Sequence, residues 1–319
     1  MTTSGPTGDR ALVVPAVLLA ALSGACVAVQ GRFNGDLSAA GAGALVASWL
    51  SYVGTLVTTA VVLVVQGRAA RTARTLRRDA RWWWYVVGFC GVPIVILFAV
   101  GIPIVGVAIA SVCSVAGQTV GGLGLDARGV GIPQPLRLTG PRLVAAGIAV
   151  AGLAVAVGSG PGTDLGTVVG LGALMFLAGA VLTGQQAGNG RVTQVAGDPV
   201  LPALTSSAGG TVLMTVLLGV AAAAGRLGGV SLPHGPGQWY LYLGGPLGAA
   251  ITVAAAWAIR HLGTLALVLA VVVGQMVTAV LVDLVVGVGA HGSTYVAVAL
   301  ITAATVLVVL PRRVPATSR

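Results

Sequence analysis

Polar positions are scarce along this chain, and those that fall inside apolar runs come in pairs. The run Ala-Gly-Gln-Thr-Val-Gly-Gly-Leu-Gly-Leu-Asp carries Gly117, Gln118 and Asp126, and Val-Gly-Gln-Met-Val-Thr-Ala-Val-Leu-Val-Asp carries Gly274, Gln275 and Asp283. Gln118 to Gln275 and Asp126 to Asp283 are both steps of 157 residues, close to half of 319. Eight residues of helix turn through about 80° beyond two full circles, so each Gln shares a face with its Asp. The repeat is wider than this core. Gln30 and Asn34 recur as Gln185 and Asn189 at a step of 155, Gly54-Thr55 recurs as Gly210-Thr211 at 156, and Trp84-Tyr85 matches Trp239-Tyr240.

The apolar runs between these pairs predict about ten membrane-spanning helices, since a bilayer core needs roughly 20 apolar residues per helix. The first five cover 12–31, 38–65, 82–101, 104–125 and 142–158, and the second five 166–186, 200–224, 239–258, 262–282 and 293–310. Gly160-Pro161-Gly162 punctuates the seam, giving two halves, 1–160 and 161–319. An odd number of spans per half makes the copies enter the membrane from opposite sides. The fold class expected is therefore an all-α membrane protein with an inverted 5+5 repeat, an arrangement that alternates access around a central site.

Composition agrees with that pattern. The chain is 56% hydrophobic with 8% charged residues and a mean hydropathy of +1.00, against roughly 25% charged for a soluble domain. All seventeen cations are Arg and all seven acids are Asp. The net charge of +10 would suggest nucleic acid in a soluble chain; here it reads as topogenic charge, and no nucleic-acid partner is expected. With the N-terminus inside, fifteen arginines fall on inner segments and only Arg32 and Arg226 outside, which predicts a cell-membrane protein with both termini cytoplasmic. The Arg-rich loop 68–81 opens onto Trp82-Trp83-Trp84-Tyr85, an interfacial anchor. The first apolar run, 11–29, reads as a retained span rather than a cleaved signal.

Intramembrane polar groups are costly, so each is a candidate for function or for helix–helix bonding. The candidate substrate contacts are Gln30, Asn34, Gln118, Gln185, Asn189 and Gln275. Asp283, flanked by Val282 and Leu284 with no cation close in sequence, is the candidate proton-coupling acid, with Asp126 as its inner counterpart. Enzyme signatures are absent: there is no Glu, no metal-ligand spacing and no phosphate-binding loop, and His234, His261 and His291 lie in separate loops. Cys26, Cys90 and Cys113 sit in apolar runs as small core residues. No cofactor is expected. The partners expected are a small-molecule substrate, the lipid bilayer and a proton, with the chain acting as monomer or homodimer.

Gln30-x-x-x-Asn34-x-x-Leu37, Gly117-Gln118 and Leu125-Asp126 with Gly129 shortly after, repeated as Gln185-x-x-x-Asn189 and Gly274-Gln275-x(7)-Asp283, resemble the YdcZ-type branch of the drug/metabolite transporter superfamily. The resemblance runs from about Leu12 to Leu310, in the form of two fused five-helix halves. Ala127-Arg128 stands where the family carries a His-aromatic pair, and Val192 replaces the Leu in the second half. The resemblance implies a secondary transporter of small metabolites or drugs, an exporter, and the few intramembrane charges favour a neutral, zwitterionic or weakly cationic solute over a polyanion. The alternative is a non-transporting membrane scaffold or accessory subunit, in which the Gln residues make only helix–helix contacts.

Overall fold

Small residues decide how the helices meet. The structure, a computed structural model, describes residues 7–128, 139–158, 164–198, 200–287 and 292–309. Every regular element among them is helical: α1 (Thr7–Leu37), α2 (Gly43–Val65), α3 (Ala69–Asp79), α4 (Trp82–Val86), α5 (Val92–Ala127), α6 (Gly140–Gly158), α7 (Leu165–Ala196), α8 (Leu201–Ala223), α9 (Gly244–Val286) and α10 (Gly292–Val309). By length and composition Leu12–Val65, Trp82–Leu125, Leu165–Ala196 and Leu201–Ala223 are apolar enough to cross a membrane, and 142–158, 270–286 and 292–304 are shorter apolar helices. Such continuous helices satisfy their own backbone groups in lipid.

The helices pair across the two halves. First-half α1 packs on second-half α9, and second-half α7 packs on first-half α5. Each crossing is a glycine contact. A β-carbon at Gly24 would run into the carbonyl of Val271, and one at Gly274 into that of Ala21. At the other crossing, one at Gly179 would meet the carbonyl of Ser114, and one at Gly117 that of Phe176. Gly24 and Gly179 are 155 residues apart and Gly117 and Gly274 are 157 apart, so both crossings use repeat-related residues. Buried Ala16, Ala20, Ala28 and Ala270 continue the small face around the first crossing. In lipid, close backbone approach of this kind replaces the hydrophobic drive that associates helices in water.

Several boundaries differ from those expected. The third and fourth spans form one element, α5, which passes Pro103 and breaks at Gly106 (φ 83°, ψ 166°), a conformation open to glycine. Every residue from Val105 to Gly117 is buried, so α5 forms the centre of the bundle. The eighth and ninth spans likewise run together in α9. Ser23 and Gly24, adjacent in α1, nevertheless touch Ile251 and Val271 respectively. A straight helix would hold those two residues about 30 Å apart, so α9 doubles back between them. The loop 68–81 contains helix α3, which turns Arg71, Arg74, Arg77 and Arg78 outward and packs Leu76 against Trp84, Val192 and Leu201. Arg68, just before it, forms an ion pair with Asp198 between α7 and α8. The 160–162 seam and His291 lie outside the described residues.

Candidate functional site

The polar residues gather into two corners and two isolated positions. The first corner lies where α1 and α2 meet the start of α9. Gln30 Nε2 donates to the carbonyl of Gly244 at 2.7 Å and to Ser51 Oγ at 3.4 Å. Asn34 Nδ2 donates to Ser51 Oγ at 3.2 Å. The Thr55 hydroxyl is shared between the carbonyls of Ser51, at 2.9 Å, and Gly245, at 3.1 Å. Gly54 and Gly245 allow this, because their backbones approach closely enough that a β-carbon at Gly54 would lie 2.9 Å from Gly245 Cα. Arg32 and Asp36 pair one turn apart on the same helix, at 2.7 Å.

The second corner is built from the corresponding residues of the other half, where α7 and α8 meet Val87–Gly91, a 3₁₀ turn leading into α5. Gln185 reaches Gly91, as Gln30 reaches Gly248, its counterpart 157 residues on. Here the bonds are missing. Asn189 Oδ1 and Thr211 Oγ1 are buried with no hydrogen-bond partner. Tyr52, from α2, takes the place beside Gly91 that Thr55 takes beside Gly248, and its ring lies on Gly210.

Gln118 and Gln275 stand one residue past the glycines of the two crossings. Gln118 is engaged: its Nε2 donates to Ser114 Oγ at 3.2 Å, and its Oε1 accepts from Gln186 Nε2 at 3.1 Å. Gln275 is 4% exposed, and its amide has no hydrogen-bond partner among the described residues. No bond joins Gln118 to Gln275 among the described residues.

Asp283 is held by backbone. Its two carboxylate oxygens accept from the amides of Val107, at 2.8 Å, and Ala108, at 2.7 Å. These are the first amides after the break at Gly106, left without intrahelical partners at the start of a helical segment. An anionic side chain there satisfies two donors and complements the dipole. At 3% exposure it also fastens α9 to α5 across the halves. The side chain of Asp126, its counterpart, lies outside the described residues.

Sequence reasoning missed Ser51, Tyr52 and the Val107–Ala108 amides. The available signals were Ser-Tyr in an otherwise apolar run and a glycine, Gly106, inside another.

These arrangements can be set beside known proteins. The family described as "Putative inner membrane exporter, YdcZ" matches the chain twice, over residues 15–155 and 171–310. The chain belongs to that family. The YdcZ family match covers each half separately, so the duplication read from Gln118 and Gln275 is a duplication of the whole family unit. The family describes a transporter of the inner membrane rather than an enzyme, and with its apolar helices the chain is a multi-pass membrane protein. No curated protein matches it in sequence. A crystal structure is similar at 18% identity with a TM-score of 0.59, covering 94% of this chain and 99% of the other, a likeness of fold alone.

Proposed function

We propose that the chain is a secondary transporter that exports a small neutral, zwitterionic or weakly cationic metabolite or drug across the cell membrane. Its halves, 1–160 and 161–319, form ten spans in an inverted 5+5 repeat with both termini cytoplasmic. The substrate passes between the halves, in contact with Gln275 and the polar corners. Gln275 carries this reading: a nearly buried amide in an apolar helix holds no bond among the described residues, while its repeat mate Gln118 is bonded twice. An amide serving only to hold helices together would be bonded to its neighbours, as that of Gln118 is.

Asp283 couples transport to a proton through its hold on α5. Ionised, it accepts two amides and joins the halves. Protonation weakens both bonds and frees α9 to move against α5. Asp126 plays the matching part at the other face.

The test is flux of a substrate array into proteoliposomes, with and without an imposed pH gradient. Wild type should show gradient-driven flux. Gln275→Leu should lower it about tenfold, the size of one lost hydrogen bond, and Asp283→Asn should leave downhill flux that ignores the gradient. Undiminished flux in Gln275→Leu would remove that residue from the path, and gradient-driven flux in Asp283→Asn would remove the coupling role.

A further inference from the structure

Tyr52 and Gln185 meet over Gly91 with their polar ends unused. A β-carbon at Gly91 would strike Gln185 Oε1 and lie 2.8 Å from the Tyr52 hydroxyl oxygen, so both oxygens border a single point. Tyr52 is 9% exposed, with the edge of its ring against Gly210, so the hydroxyl is the part it offers. Neither that hydroxyl nor the Gln185 amide has a hydrogen-bond partner among the described residues. Asn189 Oδ1, one turn further along α7, and Thr211 Oγ1, next to Gly210, are buried and unpartnered as well.

The first corner shows what such a set accepts. There the corresponding Gln30 gives its amide to a backbone carbonyl, and Thr55 gives its hydroxyl to backbone carbonyls. The protein fills that corner with its own peptide groups. In the second corner Tyr52 stands where the other half has Ala208, and its hydroxyl reaches Gly91 beside Gln185. The Gln185 amide and the Tyr52 hydroxyl border one point, and no peptide group bonds either among the described residues.

We propose that the second corner is a ligand subsite formed by Tyr52 and Gln185, with Asn189 and Thr211 behind them, and that it takes an uncharged amide or hydroxyl group. All four side chains are neutral, so a charged group would enter with no counter-ion, at high cost in a low-dielectric site. An amide carbonyl accepts from the Gln185 Nε2 or Tyr52 hydroxyl, and an amide N–H donates to the exposed lone pairs of Gln185 Oε1. This assignment rests on the transport reading and narrows its substrate class to neutral solutes.

Cys90 provides a reporter. It neighbours Gly91 in the chain, its Sγ lies 3.8 Å from where a β-carbon of Gly184 would sit, and it is partly exposed. Maleimide alkylation of Cys90 would be followed in the full-length protein in a Cys26→Ala background, Cys113 being buried. The probes are size-matched: benzamide (neutral), benzylammonium (cationic) and benzoate (anionic), with acetamide as a smaller amide. Benzamide and acetamide should slow alkylation, and benzylammonium and benzoate should not. Tyr52→Phe, which keeps the ring on Gly210, and Gln185→Leu should each raise the half-protecting concentration about tenfold. Protection that survives both substitutions, or that is equal for all probes, overturns the subsite even where flux in proteoliposomes is intact. Amide-selective protection lost in both variants supports it even if no probe is transported, and in that case it is the transport reading that fails.

Discussion

The two copies of the repeat agree where backbones touch and part where side chains must find partners. At the crossings, Gly24 on Val271 and Gly179 on Ser114 are the same contact made twice, as are Gly274 on Ala21 and Gly117 on Phe176. At the polar corners, Gln30, Asn34 and Thr55 each donate hydrogen bonds, whereas Gln185 holds none among the described residues and Asn189 and Thr211 have buried atoms without partners. The reason is local. Backbones meet in both corners, Gly54 on Gly245 in the first and Gly88 on Ser206 in the second, but only the second carries the Tyr52 ring on Gly210. Duplication has kept the steric frame, and one aromatic residue has released a set of polar groups from structural duty.

The equivalence of the crossings is the boldest part of this comparison, and it predicts the largest effect. A leucine at Gly24 or at Gly179 has to place its β-carbon inside a backbone carbonyl that a helix holds rigid. Either substitution should abolish folded protein, read as loss of the monodisperse peak in detergent size-exclusion chromatography. A normal yield from one but not the other would show that the crossings are not equivalent.

Next in size is the Asp283 cap. Asp283→Ala leaves two buried amides unsatisfied, each costing about 1–3 kcal/mol, so thermal unfolding in detergent should report a loss of about 3 kcal/mol. Asp283→Asn keeps one acceptor oxygen and should lose about half as much. A negligible change in both would mean that the amides of Val107 and Ala108 are satisfied without this carboxylate.

Much of this was legible in the sequence because lipid leaves few choices. An apolar run of about 20 residues has to be a helix, and a polar residue inside it stands out, as Gln118, Gln275 and Asp283 did. Gly117 and Gly121, four residues apart in an apolar run, carry the small-residue spacing of close helix packing, and Gly117 is one of the crossing residues. Identity of partners was another matter. Asp283 was visible as an acid in an apolar run, but neither its burial nor its partners were: these are main-chain amides exposed by a break at Gly106, and any residue type supplies those. Gln30 and Gln185 look identical in sequence, and their difference depends on Tyr52, whose ring acts on the other half of the chain. The amphipathic character of α3 was hidden because its arginines explain themselves by topology alone.

The smallest effect separates the corners most cleanly. Thr55 and Thr211 are repeat mates, and Thr→Val changes little more than hydroxyl for methyl. In Thr55→Val the carbonyl of Gly245 loses its donor across the halves, which should cost about 1 kcal/mol. In Thr211→Val a buried hydroxyl oxygen with no partner is replaced by an apolar group of similar shape, which relieves a desolvation penalty instead of creating one. Ligand-free Thr211→Val should therefore match wild type or exceed it by up to about 1 kcal/mol in thermal unfolding. Opposite signs at two positions of the same repeat, in the same assay and with the same chemical change, would tie the difference to the corners rather than to the residue. Equal losses at both would mean that the Thr211 hydroxyl is satisfied in the folded protein and that the second corner is as closed as the first.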